Sequence, residues 1–339
     1  MRPRFTYGGE LFLWRWLRLT MANRYVISPF AIITMLAALL LPLLLDPFGF
    51  LILFLDNILV FVLLTLGLQL ILGYAGILNL GHAAFFGLGA YTSAILTKTL
   101  GVPFPLAFLA STLMGLLGGL LMCPIIRLRD VYFAMASFAF GIVAYVVFSE
   151  WRELTNGHIG IRAIPPARLA GIDFTSSLNF YYLVLPCVIV LYLVFRLLLI
   201  SPFGTSLNAI RQSELAARSV GMHLAAIKVK TILIGAAAAG AAGSLITHLQ
   251  GFVSPELFNW PQSITLVTMM VIGGIGSFPG AIIGTFAIQF MSEYLRFLVE
   301  YKMLIYGGVL VFFMIFLPKG IAGVVRALVV AALERRSAR

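Results

Sequence analysis

The sequence predicts an all-α polytopic membrane protein of about ten transmembrane helices, within a range of roughly eight to eleven. Three observations carry this expectation. Apolar residues make up 61% of the chain, and the mean hydropathy is +1.05. Charged residues make up only 10%, against about 25% in soluble domains. Apolar runs close to the roughly twenty residues that cross a bilayer recur from 28 to 317. A chain of 339 residues filled this way leaves too little for a soluble catalytic domain.

The elements follow in order. Residues 1–27 form a basic arm, with Arg2, Arg4, Arg15, Arg18 and Arg24 against Glu10. Trp14 and Trp16 suit a membrane interface. The arm has no short apolar run ending in a small-residue cleavage site, so the first span is expected to be retained. The transmembrane domain covers 28–317, with spans expected at 28–45, 50–72, 82–97, 104–126, 131–149, 180–200, 230–249, 262–275, 281–298 and 304–317. A polar excursion occupies 150–178, a second polar segment 201–229, and a basic tail 318–339. With alternating spans and an inside N-terminus, only Lys98, Arg152, Arg162, Arg168, Arg296 and Lys302 of the 23 Lys and Arg fall outside. This bias predicts cytoplasmic termini, 201–229 inside and 150–178 outside. The net charge of +11 is thus a sign of topology, not of nucleic-acid binding.

Gly73, Gly76, Gly81, Gly87 and Gly89 interrupt the apolar pattern, together with Asn79 and His82. Glycine costs about 0.8–1.0 kcal/mol against alanine inside a helix, so a broken or closely packed helix is expected. Non-helical backbone at membrane depth is tolerated where protein buries it or water lines it. Two readings stand: a segment beside a water-lined path, or a helix contact built from small residues. A second glycine-broken stretch, 273–284, contains Gly273, Gly274 and Gly276. Paired interruptions of this kind point to a path between the two halves. Small residues at Gly235, Ala239 and Gly243, and at Ala236, Gly240 and Ser244, predict close helix contact. Asp56, an acid within a span, suits a functional role or, near the span's outer end, an interfacial or packing one. Cys123 and Cys187 lie in apolar runs and read as small hydrophobes. His158, His223 and His248 lack metal-ligand spacing, and no metal site is expected.

Within 201–229, Ser206 can cap a helix running to Val220, with Gly221 as its stop. Arg211, Glu214 and Arg218 then share one face. The Glu214–Arg218 order favours stability by about 0.3–0.5 kcal/mol. Such a helix suits docking to a partner, or serves as a solvated connector.

The pattern Arg211-x-x-Glu214-x-Ala216-Ala217-x-x-x-Gly221 resembles the EAA loop of ABC-importer permeases. Residues 80–91 (LGHAAFFGLGAY), 131–134, 154–160, Ser254-Pro255, 271–277 and Pro318-Lys319-Gly320 are similar to the LivM type from branched-chain amino-acid importers. The resemblance covers about 30–320. It implies an ABC-importer permease fold in a bacterial inner membrane, without enzymatic activity or a cofactor of its own. It implies a second homologous permease subunit in a heterodimer, two cytoplasmic ATPases that use the ATP, and an extracytoplasmic substrate-binding protein. The chain has no GxxxxGK[ST] phosphate loop. Arg211, Glu214, Ala216, Ala217 and Gly221 would couple to the ATPases. Gly76, Asn79, Gly81, His82, Gly273, Gly274 and Gly276 would border the path. Where the family often has Gly-Gln-x-Ser, this chain has Gly76-Ile77-Leu78-Asn79. That departure leaves permeases for urea or short amides as an alternative. A stand-alone secondary transporter or channel is the rival from another class.

Overall fold

The computed structural model describes residues 39, 41–42, 49–128, 130–169, 171–294, 301–317 and 320–324. The basic arm, the span expected at 28–45 and nearly all of the basic tail lie outside the described residues.

The described residues are helical, apart from a two-residue antiparallel ladder, Arg168–Leu169 (β1) with Ile172–Asp173 (β2), and an isolated bridge, Ile161 to Val253. Besides the single α-helical turn Arg152–Thr155 and short 3₁₀ turns, the helices are α1 (Gly49–Leu68, extended by a π-helical turn Gln69–Tyr74), α2 (His82–Lys98), α3 (Phe104–Leu121), α4 (Asp130–Glu150), α5 (Ser177–Ile200), α6 (Pro202–Gln212), α7 (Glu214–Ser219), α8 (Leu224–Gln250), α9 (Trp260–Gly273), α10 (Phe278–Tyr294) and α11 (Lys302–Phe316).

Six stretches are long and apolar enough to cross a membrane: Gly49–Tyr74, Phe104–Leu121, Asp130–Glu150, Ser177–Ile200, Leu224–Gln250 and Leu304–Val324. They become seven if α9 and α10, bent by 119°, are taken as one. The hydropathy reading expects nine over the same range. The difference is one of length. At 1.5 Å per residue, α2 and α10 rise about 25 Å and α9 about 21 Å, short of the roughly 30 Å hydrocarbon core. Each is cut short by a glycine-containing or otherwise non-helical break.

Helix α8 is the axis of the bundle and packs along α2, α3 and α1. Its small residues make this possible. A Cβ on Gly240 would strike the Ser111 carbonyl of α3 and stand 2.9 Å from Gly115 Cα. A Cβ on Gly89 of α2 would stand 2.5 Å from Gly240 Cα. Gly235 meets the Gly67 carbonyl of α1, and Gly243 the Phe86 carbonyl of α2. These small-residue contacts are therefore internal to the chain. Lipid supplies no hydrophobic drive between helices, so backbone approach and interhelical hydrogen bonds hold them. Ser93 bonds Ser244 (2.8 Å) and His248 Nε2 (3.0 Å), while His248 Nδ1 lies 2.8 Å from the Pro165 carbonyl. Thr65 meets Thr285 at 2.8 Å, tying α1 to α10. Asp56 is wholly buried on α1.

From α1 to α8 the helices alternate between two ends. One end gathers 99–103, the 150–176 excursion and 251–254, joined by the Ile161–Val253 bridge and by Ile164 N–H to Gly251 O (3.0 Å). The other gathers 75–81, 122–128, 201–223 and 274–277.

Candidate functional site

At the 201–223 end three interrupted segments meet. The first is the break after α1. Its π-helical turn opens the hydrogen-bond ladder, with Ala75 N–H reaching Leu70 O (3.2 Å) and Ile77 N–H reaching Ile71 O (3.1 Å). Gly76 then takes φ +72°, a region costly for side chains other than glycine. The second is the turn between α9 and α10. Gln69 stitches the two together: its Nε2 donates to Gly274 O (3.2 Å) and Ser277 O (3.1 Å). A Cβ on Gly73 would stand 2.9 Å from the Gly276 amide nitrogen, so the two glycine-broken stretches lie backbone against backbone.

The third segment is 201–223, and here the sequence expectation is corrected. The expected single helix from Ser206 to Val220 is two, α6 and α7. Ser213 is extended (φ −162°, ψ 112°), and its Oγ accepts from Ala216 N–H (3.2 Å), capping α7. Ser206 is not a cap; its hydroxyl donates to Pro202 O (2.9 Å) within α6. A serine that offers the backbone an alternative partner competes with helix continuation. Arg211 and Glu214 therefore sit on different helices and do not share a face. Glu214 pairs with Lys228 of α8 at 2.5 Å rather than with Arg218. Gly221 does stop the segment, at φ +82°.

Arg211 crosses from this segment to the other two. Its Cγ lies 3.4 Å from where a Gly76 Cβ would be, and its guanidinium Nη1 fills the space beside Gly276. Two hollows that share Glu214 and Arg218 open at this end, the first of them lined by Arg211. One, of about 340 Å³, is bordered by Gly76, Asp130, Arg211, Ser213, Glu214 and Arg218. The other, of about 530 Å³, is bordered by Arg127, Glu214, Arg218, His223 and Lys228. On the rim Leu215 is 78% exposed and Val220 71%. Large apolar side chains offered on a short, charged helix pair suit a helix-in-groove or rim contact with another protein.

The sequence candidates thus divide. Arg211, Gly76 and Gly276 are brought into contact, and Gly274 joins them through Gln69. Glu214 and exposed Ala216 face the hollows or the surface, while Ala217 is buried. Gly273 is a packing glycine: a Cβ there would strike the Gly280 carbonyl, and a Cβ on Gly320 would stand 2.5 Å from Gly274 Cα and N. Asn79, Gly81 and His82 form a separate buried group against α4 and within α2. Asn79 Oδ1 accepts from Gly81 N–H (2.9 Å), Leu80 N–H donates to Ser137 Oγ (3.1 Å), and a Cβ on Gly81 would collide with the Ser137 carbonyl. His82 stacks edge-on to Phe85 with centroids 5.8 Å apart. Sequence reasoning missed Gln69 and Lys228. Gln69 carried a signal, being a polar side chain inside the apolar run 50–72. Lys228, fourteen positions from Glu214, carried none.

A helical bundle of six to seven candidate membrane spans, with a helix-break-helix segment wedged against two broken spans, defines a multi-pass membrane protein. A family model described as branched-chain amino acid transport system / permease component matches residues 50–314, and the chain belongs to that family. It is 35% identical over 294 residues to the high-affinity branched-chain amino acid transport system permease protein LivM of Salmonella typhimurium, covering 79% of this chain and 68% of the relative. The LivM protein of Escherichia coli is 34% identical with the same coverage. The LivH permease protein of Salmonella typhimurium is 24% identical over 287 residues, covering 78% of this chain and 91% of that protein. No solved structure matches the chain.

Proposed function

We propose that the chain moves branched-chain amino acids inward as one of two homologous permease subunits. Two cytoplasmic ATPases dock on the 201–223 end, and a substrate-binding protein delivers cargo at the 150–176 end. The observation that carries this reading is Arg211, held between Gly76 and Gly276. A displacement of the docking segment is passed directly to both broken spans, as a shift of packed elements rather than a chemical step. Similarity to both LivM and LivH proteins supports a heterodimer of related subunits. The excess of Lys and Arg on the 201–223 side supports its cytoplasmic placement and that of both termini in a bacterial inner membrane. The short helices α2, α9 and α10, counted as passes beside the longer six and the span at 28–45, give the ten of the sequence reading.

The double substitution Gly221→Pro, Glu214→Lys tests the docking assignment. Proline holds φ near −65° and cannot reproduce the +82° of Gly221. The new lysine repels Lys228. The expected result is a subunit that still inserts and assembles, with ATP hydrolysis retained and leucine uptake down at least tenfold. Uptake at the wild-type rate removes the 201–223 segment from coupling.

A further inference from the structure

We propose that Glu256 and Tyr145 form a recognition site for the ammonium group of an amino-acid cargo, with the aromatic pair Trp260 and Phe138 about 10 Å deeper along α4. The inference rests on the transport reading above and names the residues that would meet the substrate.

After Gly251 (φ +69°) and the Val253–Ile161 bridge, the chain does not leave the bundle. It runs back along α2 and α4 as irregular backbone with a 3₁₀ turn, Pro255–Phe258. Phe258 is buried against Phe86 (5.2 Å), Tyr91 (5.9 Å) and Phe148 (6.2 Å). The Trp260 ring lies 6.0 Å from Phe138, twelve residues and so about 18 Å from the Glu150 end of α4. Ala83 N–H donates to Ser263 Oγ (3.1 Å). Residues 254–259 therefore run from the 251–254 end into the span without regular α-helix. Such backbone persists only where protein buries it or water reaches it.

Glu256 stands on this segment, exposed, and accepts from the Tyr145 hydroxyl at 2.9 Å. Among the described residues no Lys, Arg or His pairs with it. Tyr145 is five residues, about 7 Å, from the Glu150 end of α4, so Glu256 stands toward the 150–176 end, where an exposed carboxylate without a cation is open to a cationic ligand. Phe138 and Tyr145 are seven apart on α4 and share one face. Glu256 and Trp260 are four apart on the opposing segment. An anion beside aromatic faces is the chemistry that holds an ammonium group. Exposed Ile142, on the same side of α4 as Tyr145, offers apolar surface to a branched side chain.

The test uses the assembled transporter in proteoliposomes, with ATP and leucine-loaded binding protein. Glu256→Gln is expected to lower the initial leucine uptake rate at least tenfold, while binding-protein-stimulated ATP hydrolysis stays within twofold of wild type. Glu256→Asp should restore part of the uptake, and Tyr145→Phe should lower it two- to fivefold. Uptake by Glu256→Gln within twofold of wild type overturns the site. So does a loss accompanied by a fall in the thermal midpoint of the purified subunit, which marks a structural role. If the wild-type complex itself takes up no leucine, the transport reading fails and this site fails with it; wild-type uptake with an unaffected Gln variant removes the site alone.

Discussion

Gly240→Leu is expected to abolish the stably folded subunit. Gly240 stands where α8 meets both α2 and α3. Its missing side chain is what lets the Ser111 carbonyl and Gly115 Cα close from one side and Gly89 from the other. Overpacking a well-filled core costs about 1–3 kcal/mol, occasionally more, and here backbone rather than a flexible side chain must give way, in two interfaces at once. That is a large fraction of the roughly 5–15 kcal/mol by which folded proteins are stable. Thermal unfolding of detergent-purified subunit checks it. The variant should yield little monodisperse protein, or lose ten degrees or more in midpoint. Gly307→Leu is the control, because nothing lies within 4 Å of a Cβ there, and it should behave as wild type.

Arg211→Ala is expected to lower ATP-driven uptake at least tenfold while leaving the subunit folded. Arg211 is exposed on α6, so its loss opens little core, but it removes a side chain that touches both Gly76 and Gly276. A tenfold loss corresponds to about 1.4 kcal/mol of coupling, within the usual 1–3 kcal/mol range. Arg211→Lys should recover only part of the rate, because an ammonium lacks the planar fork that fills the space beside Gly276. Uptake and ATP hydrolysis measured on the same proteoliposomes separate coupling from assembly. Wild-type uptake by Arg211→Ala would mean that the contact is incidental.

Much of the fold was legible because glycine marks places where backbones touch. The breaks at 73–81 and 273–277 announced themselves in that way, as did the small-residue faces of α8. Hydropathy could not tell how much helix remains beside a break, so α2, α9 and α10 were read as full spans. The break at Ser213 was hidden for a local reason: Ser206 and Ser213 both suit a cap, and only the tertiary turn from α5 decides between them. Spacing along one helix suggested Glu214 with Arg218. The observed partner, Lys228, comes from the next long helix and leaves no periodic trace. Arg211, Gly76 and Gly276 were each singled out in sequence, but their mutual contact depends on Gln69 holding two distant turns together. Glu256 went unmarked because a single acid in a short connection looks like ordinary loop, and its bond to Tyr145 of α4 is visible only in the folded chain.

The central claim is that motion of the 201–223 segment, driven by ATP, opens a path for branched-chain amino acids. Its most direct measurement is leucine uptake by the assembled transporter in proteoliposomes, with ATP supplied only on the face that carries Leu215 and Val220. The expected result is accumulation that requires ATP on that face and the binding protein on the other, and that stops with ADP. Equal uptake without ATP would contradict it and identify the chain as a channel or secondary transporter.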